Sequence, residues 1–118
     1  MIQKDSLDLL REDLRRFAAE RDWDQFHTPS NLAAALSVEA AELQEHFLWA
    51  SPGEQSDFIS AKRDKLEEEI GDVLLYLIRL ADKAGIDLVE AAKTKLAVNA
   101  KKYPVDKARG NHRKYTEF

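Results

Sequence analysis

The stretch that decides the fold is LEEEIGDVLLYLIRLADKAG, residues 66–85. Apolar residues recur at Leu66, Ile70, Val73, Leu74, Leu77 and Ala81. That three- and four-residue spacing lines one face of a helix and is foreign to a strand. The longest apolar run, Val73 to Ile78, is far shorter than the ~18 residues of a membrane span. Gly85 is a natural residue to follow the helix end, because glycine enters the left-handed region without a Cβ penalty. The spacing therefore predicts one helix over about Phe58 to Ala84.

The neighbouring segments read the same way. Downstream, Asp87 and Glu90 form a capping box that opens another helix. It must end near Tyr103, because Pro104 has no N–H to continue the ladder. Upstream, Leu32, Leu36, Leu43 and Phe47 stripe a helix that starts at Ser30 as N-cap and runs to about Trp49. Ser51, Pro52 and Gly53 end it, and Ser51 with Glu54 can open a short turn. The first helix spans about Ser6, its N-cap, to Trp23, with Leu7, Leu10, Leu14 and Phe17 on one stripe. Pro29 keeps Thr28 out of the helical region. The expectation is an all-α, four-helix architecture over residues 1–103, followed by an irregular basic tail over 104–118. From Ala100 to Phe118 six basic and two acidic residues give +4, so the first 99 residues carry −8.

Composition narrows the functions. A 118-residue chain with 44% hydrophobic and 34% charged residues is an ordinary globular domain with room for a core. A net charge of −4 argues against a nucleic-acid polymer or a membrane surface as partner. The absence of cysteine excludes disulfides, a thiol nucleophile and thiolate-ligated metals. No glycine-rich phosphate loop is present. The N-terminal MIQKDS lacks the apolar core of a secretion signal, so a cytoplasmic location is expected.

Two acidic pairs stand apart from solvated surface charge. Glu39 and Glu42 are three apart on one predicted helix, and Glu69 and Asp72 are three apart on another. At about 100° per residue, each pair borders its apolar stripe on the same side. If the two helices pack antiparallel, the pairs meet in one cleft. Four such carboxylates need neutralising by basic side chains or by a divalent cation; otherwise they are two unrelated surface pairs. Hard oxygen ligands suit Mg²⁺ or Mn²⁺. Trp23, Phe26 and His27 cluster in the first loop, Trp49 ends the second helix, and Tyr76 lies one turn beyond Asp72. They read either as packing or as a stacking pocket for a nucleobase. His46, one turn after Glu42, reads as a polar boundary residue.

Taken together, E39-x-x-E42 and E69-x-x-D72 resemble the MazG-type all-α nucleotide pyrophosphohydrolases. The segments FAAERDW (17–23), QFHTPSNL (25–32), EAAEL (39–43), EEIGDVLLYL (68–77), Asn99-AKKYP and RKYTE (113–117) are similar to the dCTP pyrophosphatase branch. The resemblance implies that Glu39, Glu42, Glu69 and Asp72 ligate Mg²⁺. A carboxylate not fully occupied by the metal takes the water's proton, and Glu39 is the expected general base, with Glu68 beside the motif as the alternative. It implies that Trp23, Phe26, His27, Trp49, Tyr76 and Asn99 bind a nucleoside triphosphate. The expected activity is hydrolysis of dCTP or 5-substituted dCTP to the monophosphate and pyrophosphate, cleaning the nucleotide pool. The same chemistry on dUTP, broader triphosphates or a phosphoribosyl nucleotide is the alternative, as is a non-catalytic helical module. A homodimer or homotetramer is expected. One departure is Leu14, which stands where animal members of the branch carry a histidine.

Overall fold

Aspartate and threonine caps set where three of the long helices begin. α1 is Ser6–Glu20, α2 Pro29–His46, α3 Gln55–Ala61, α4 Arg63–Ala84, α5 Leu88–Lys102 and α6 Val105–Ala108, with single 3-10 turns at Pro52–Glu54 and Tyr115–Glu117. The computed structural model describes residues 4–118, and no strand occurs among them. The all-α class therefore holds, with four long helices and two short ones.

Several boundaries differ from the sequence reading. The cap of α1 is Asp5, not Ser6, because Asp5 finds Asp8 three positions into the helix. Asp8 N–H donates to Asp5 Oδ1 at 2.8 Å and Asp5 N–H returns to Asp8 Oδ2 at 3.2 Å. Ser6 as cap would face Leu9, which cannot reciprocate. The cap of α2 is Thr28, not Ser30, since Pro29 is preorganised for the first helical position and Thr28 Oγ1 accepts from Asn31 N–H at 3.2 Å. This helix ends at His46, three residues before Trp49.

The helix expected over Phe58 to Ala84 is two helices, broken at Lys62 (φ −116°, ψ 25°). No Gly or Pro marks the break. Phe58 instead turns onto Phe47 at the end of α2, with ring centroids 5.2 Å apart, which draws α3 off the α4 axis. Gly85 caps α4 in the left-handed conformation at φ 69°, as expected.

Contacts divide the chain into one unit up to Gly85 and a second from Ile86 to Phe118. In the first, α4 packs mainly against α2, and α1 lies on α4. Cross-contacts run in opposite senses along α2 and α4: His27 meets Arg79, Glu39 meets Glu69 and Asp72, and His46 meets Glu69. The pair is therefore antiparallel. Arg15 of α1 forks onto Asp82 of α4 at 2.5 and 2.7 Å.

The core is thin. Ala18, Leu32, Leu66, Ile78 and Ala81 are buried, whereas Ile70, Leu74 and Leu77 of the expected stripe are 54, 37 and 38% exposed. Phe17 of the α1 stripe is exposed as well. The middle of α4, from Val73 to Ile78, is apolar all round, and Leu74 and Leu77 within it stay partly exposed.

In the second unit, Asp87 Oδ1 caps α5 by accepting Glu90 N–H at 3.0 Å. Residues 104–118 are not irregular throughout. They hold α6 and a 3-10 turn that bring Tyr115 and Phe118 onto Tyr103, each with ring centroids 5.9 Å away.

Candidate functional site

Antiparallel packing of α2 on α4 brings the two acidic motifs together. One carboxylate oxygen from each of Glu39, Glu69 and Asp72 lies within 4.8 Å of the others. Glu42 is exposed at the rim and outside that trio, one turn from Glu39, and its proximity helps to raise the Glu39 pKa. Glu39 Oε2 and Glu69 Oε2 are buried and accept no hydrogen bond among the described residues. A buried polar atom without a partner is costly and calls for a missing ion or water.

Desolvation, then shared hydrogen bonding with Glu69 and Glu42, then the Glu42 and Asp72 charges push the Glu39 carboxyl up to about 7. No lysine or arginine pairs with the four carboxylates among the described residues. His46 Nε2 stands 3.8 Å from Glu69 Oε1, a polar neighbour of the cluster. An all-oxygen donor set with orphaned lone pairs fits a hard divalent cation.

Asp72 also forms part of the wall of a second feature. A pocket of about 230 Å³ is lined by Leu14, Phe17, Ala18, Trp23, His27, Asp72, Leu75, Tyr76 and Arg79. Its geometry starts at the end of α1. Trp23 N–H donates to Ala18 O at 2.9 Å and Asp22 N–H to Ala19 O at 3.2 Å, while Asp22 is left-handed at φ 55°. This is a Schellman turn, with Asp22 in the place glycine usually takes. It swings Trp23 back edge-on to Phe17, with centroids 5.6 Å apart, and places His27 6.1 Å from the Trp23 ring. Asn31 Nδ2 donates to Phe26 O at 3.0 Å and ties this loop to α2.

The structure thus gathers Trp23, His27 and Tyr76 beside Asp72. Within the same unit it leaves two other expected contacts, Phe26 and Trp49, outside the pocket. Phe26 is 60% exposed, and Trp49 is 92% exposed with φ 73°. Trp49 lies past the C-terminal end of α2, whose 18 residues span about 27 Å from the Pro29 end at 1.5 Å per residue. Asn99 sits half-buried on α5 in the second unit.

The sequence reading placed Phe17 only in the core stripe, and it missed Arg79, the one charged residue of the pocket besides Asp72 among the described residues. Arg79 is buried, donates from Nε to His27 Nδ1 at 3.1 Å, and pairs with Asp24 and Asp82. The signal lay within LLYLIRLA, where a single cation interrupts an apolar run seven residues after Asp72, on nearly the same side of the helix.

Residues 34–118 match the sequence profile described as the MazG-like family. The chain belongs to the MazG-like family. This MazG-like chain is 46% identical over 113 residues to human dCTP pyrophosphatase 1, and 47% identical over 114 residues to the mouse protein of the same name. Each alignment covers 91% of the chain and 66% of the relative, so the chain spans about two thirds of the length of those proteins. Among solved structures it resembles a pyrophosphatase from Archaeoglobus fulgidus, with a TM-score of 0.83 and 41% identity, covering 88% of this chain and 97% of that one.

Proposed function

We propose that this MazG-like protein is a Mg²⁺-dependent dCTP pyrophosphohydrolase, converting dCTP or 5-substituted dCTP to the monophosphate and pyrophosphate. The observation that carries the reading is the sharing of Asp72 between the acidic cluster and the aromatic pocket. A base seated between Trp23 and Tyr76 has its phosphates directed at the carboxylates. The relatives named dCTP pyrophosphatase 1 support the substrate.

Glu39, Glu42, Glu69 and Asp72 would hold the cation, which supplies charge neutralisation to the phosphate oxygens and the departing pyrophosphate. The protein's own groups do the rest. Trp23, Phe17 and Tyr76 provide flat apolar faces for stacking, worth ~1–3 kcal/mol per base. The pocket is smaller than the ~300–1,000 Å³ of a site for a whole drug-sized ligand, so it takes the base and leaves the phosphates over the cluster. Glu39 accepts the proton of the attacking water through a carboxylate oxygen that the cation leaves free. The water oxygen bonds to the α-phosphorus, and the bond from that phosphorus to the bridging oxygen breaks.

The exposed Ile70, Leu74 and Leu77 stripe supports a homodimer or a homotetramer built on it, because apolar patches on one helix face usually mark an interface. No described helix is long and apolar enough to cross a membrane, and a cytoplasmic nucleotide-pool role agrees with the reading. The experiment is product analysis with dCTP and Mg²⁺. Formation of dCMP and pyrophosphate is expected; dCDP and single phosphate, or no turnover, defeats the proposal.

A further inference from the structure

Arg79 is the charged residue buried deepest in the first unit, at 4% exposed, and two of its donors are hydrogen-bonded. Nε donates to His27 Nδ1 at 3.1 Å, Nη2 donates to Asp24 Oδ1, and Nη1 lies 3.6 Å from Asp82 Oδ2. A guanidinium has donors and no acceptor. The His27 nitrogen that it meets must therefore be the lone-pair nitrogen, and the proton of the neutral ring sits on Nε2.

The groups around the ring agree with a neutral imidazole. Burial, then the positive charge of Arg79, hold His27 below the usual histidine range, with Lys83 adding to this and Asp24 opposing it. Nε2 has no hydrogen-bond partner among the described residues, while the ring lines the 230 Å³ pocket with Trp23 and Tyr76.

We infer that Arg79 is a positioning residue that locks His27 in its Nε2–H tautomer, so the pocket offers a ligand a fixed donor there and no acceptor. This rests on the nucleotide reading proposed above for the ligand, but not for the latch itself. A donor of fixed sense matches an acceptor on the base edge, such as the O2 or N3 of cytosine. It leaves an amino group or an N3–H unmatched at the same point. The flipped tautomer would reverse that preference. Each of the two carboxylates also has a second partner: Arg15 holds Asp82 at 2.5 and 2.7 Å, and Lys83 holds Asp24 at 3.0 Å. Both carboxylates thus keep a partner when Arg79 is replaced.

The test is long-range proton–nitrogen NMR of ring-labelled histidine at pH 8 on the full chain. It is run on wild type, Arg79→Met and Asp82→Asn, alongside dCTP kinetics in Mg²⁺. Only three histidines need assigning, and His112→Gln and His27→Asn spectra identify them by loss of a signal. The wild type should show His27 as the Nε2–H tautomer. Arg79→Met should mix the tautomers and raise KM about fivefold to tenfold, the worth of one neutral hydrogen bond, with kcat within about twofold. Asp82→Asn loosens the α1–α4 clasp without touching His27, so it should lower Tm and keep the tautomer and KM.

A wild-type His27 protonated on Nδ1, or divided between tautomers, overturns the inference even if Arg79→Met fails to fold. So does an Arg79→Met protein with an unchanged tautomer and KM, or an Asp82→Asn protein whose KM rises as far as that of Arg79→Met. Failure of wild type to hydrolyse dCTP overturns the proposed activity alone, because the tautomer is read without substrate.

Discussion

Adding Mg²⁺ should stabilise the protein in a way that depends on pH and on the acidic cluster. In the metal-free chain Glu39 titrates at about 7 instead of 4.5. Between those values the native state binds more protons than the unfolded state, so metal-free stability falls as pH rises through this window. The contribution is complete below 4.5 and is lost above 7. Mg²⁺ needs the ionised form, so its effect runs the other way: small at pH 5 and full at pH 8. At a concentration 100 times its Kd, binding adds about 2.7 kcal/mol. For a chain of this size that is roughly a 10 °C rise in Tm. The assay is a thermal melt in EDTA and in saturating Mg²⁺ at pH 5 and pH 8, on wild type, Glu42→Gln and Asp72→Asn. Both substitutions should remove most of the gain at pH 8, including Glu42, which lies outside the trio within 4.8 Å. Equal magnesium shifts in wild type and mutants would refute the metal assignment, and equal shifts at the two pH values would refute the raised Glu39 pKa.

Other outcomes follow from the same geometry. In a side-by-side comparison, kcat/KM for dCTP and 5-methyl-dCTP should exceed that for dUTP, dTTP and dATP; a tenfold preference for dUTP or a purine rejects the cytosine reading and spares the chemistry. Trp23→Ala removes a stacking wall worth ~1–3 kcal/mol, so KM for dCTP should rise at least fivefold with kcat little changed, and an unaltered KM would show that the base sits elsewhere. Leu74→Glu places a charge in the exposed α4 stripe and should shift sedimentation toward a 13.5 kDa monomer; a wild type that already sediments as an active monomer refutes the oligomer. Arg15 holds the Asp82 carboxyl below its ordinary range, so the clasp stabilises at neutral pH and fades as pH falls through the acid range. Because Arg15 is half exposed, Arg15→Met should cost only about 1 kcal/mol by urea denaturation at pH 7, and less at pH 3.

The helical class, the Gly85 stop, the Asp87 cap and the pairing of the acidic motifs were legible in the sequence because each depends on local chemistry. Helical spacing alone puts Glu39 with Glu42 and Glu69 with Asp72 on one face, and an αL stop or a carboxylate cap is a property of a few adjacent residues. The Lys62 break was not legible, since no local breaker encodes it and the cause is Phe58 reaching Phe47 on another helix. Nor was the burial of α4: Ile70 and Leu77 carry the core period, yet one chain leaves them exposed. The site divides along the same line. The residue types of a cation site and an aromatic pocket stood in the sequence, but which of them meet is a matter of three-dimensional register. The Schellman turn at Asp22 brings Trp23 and His27 to Asp72, whereas Trp49 is left at the far end of α2. Arg79 was hidden for the same reason. A lone arginine in an apolar run has no partner within its own helix except Asp82, and its meaning appears only when the fold brings Asp24 and His27 across from the loop before α2.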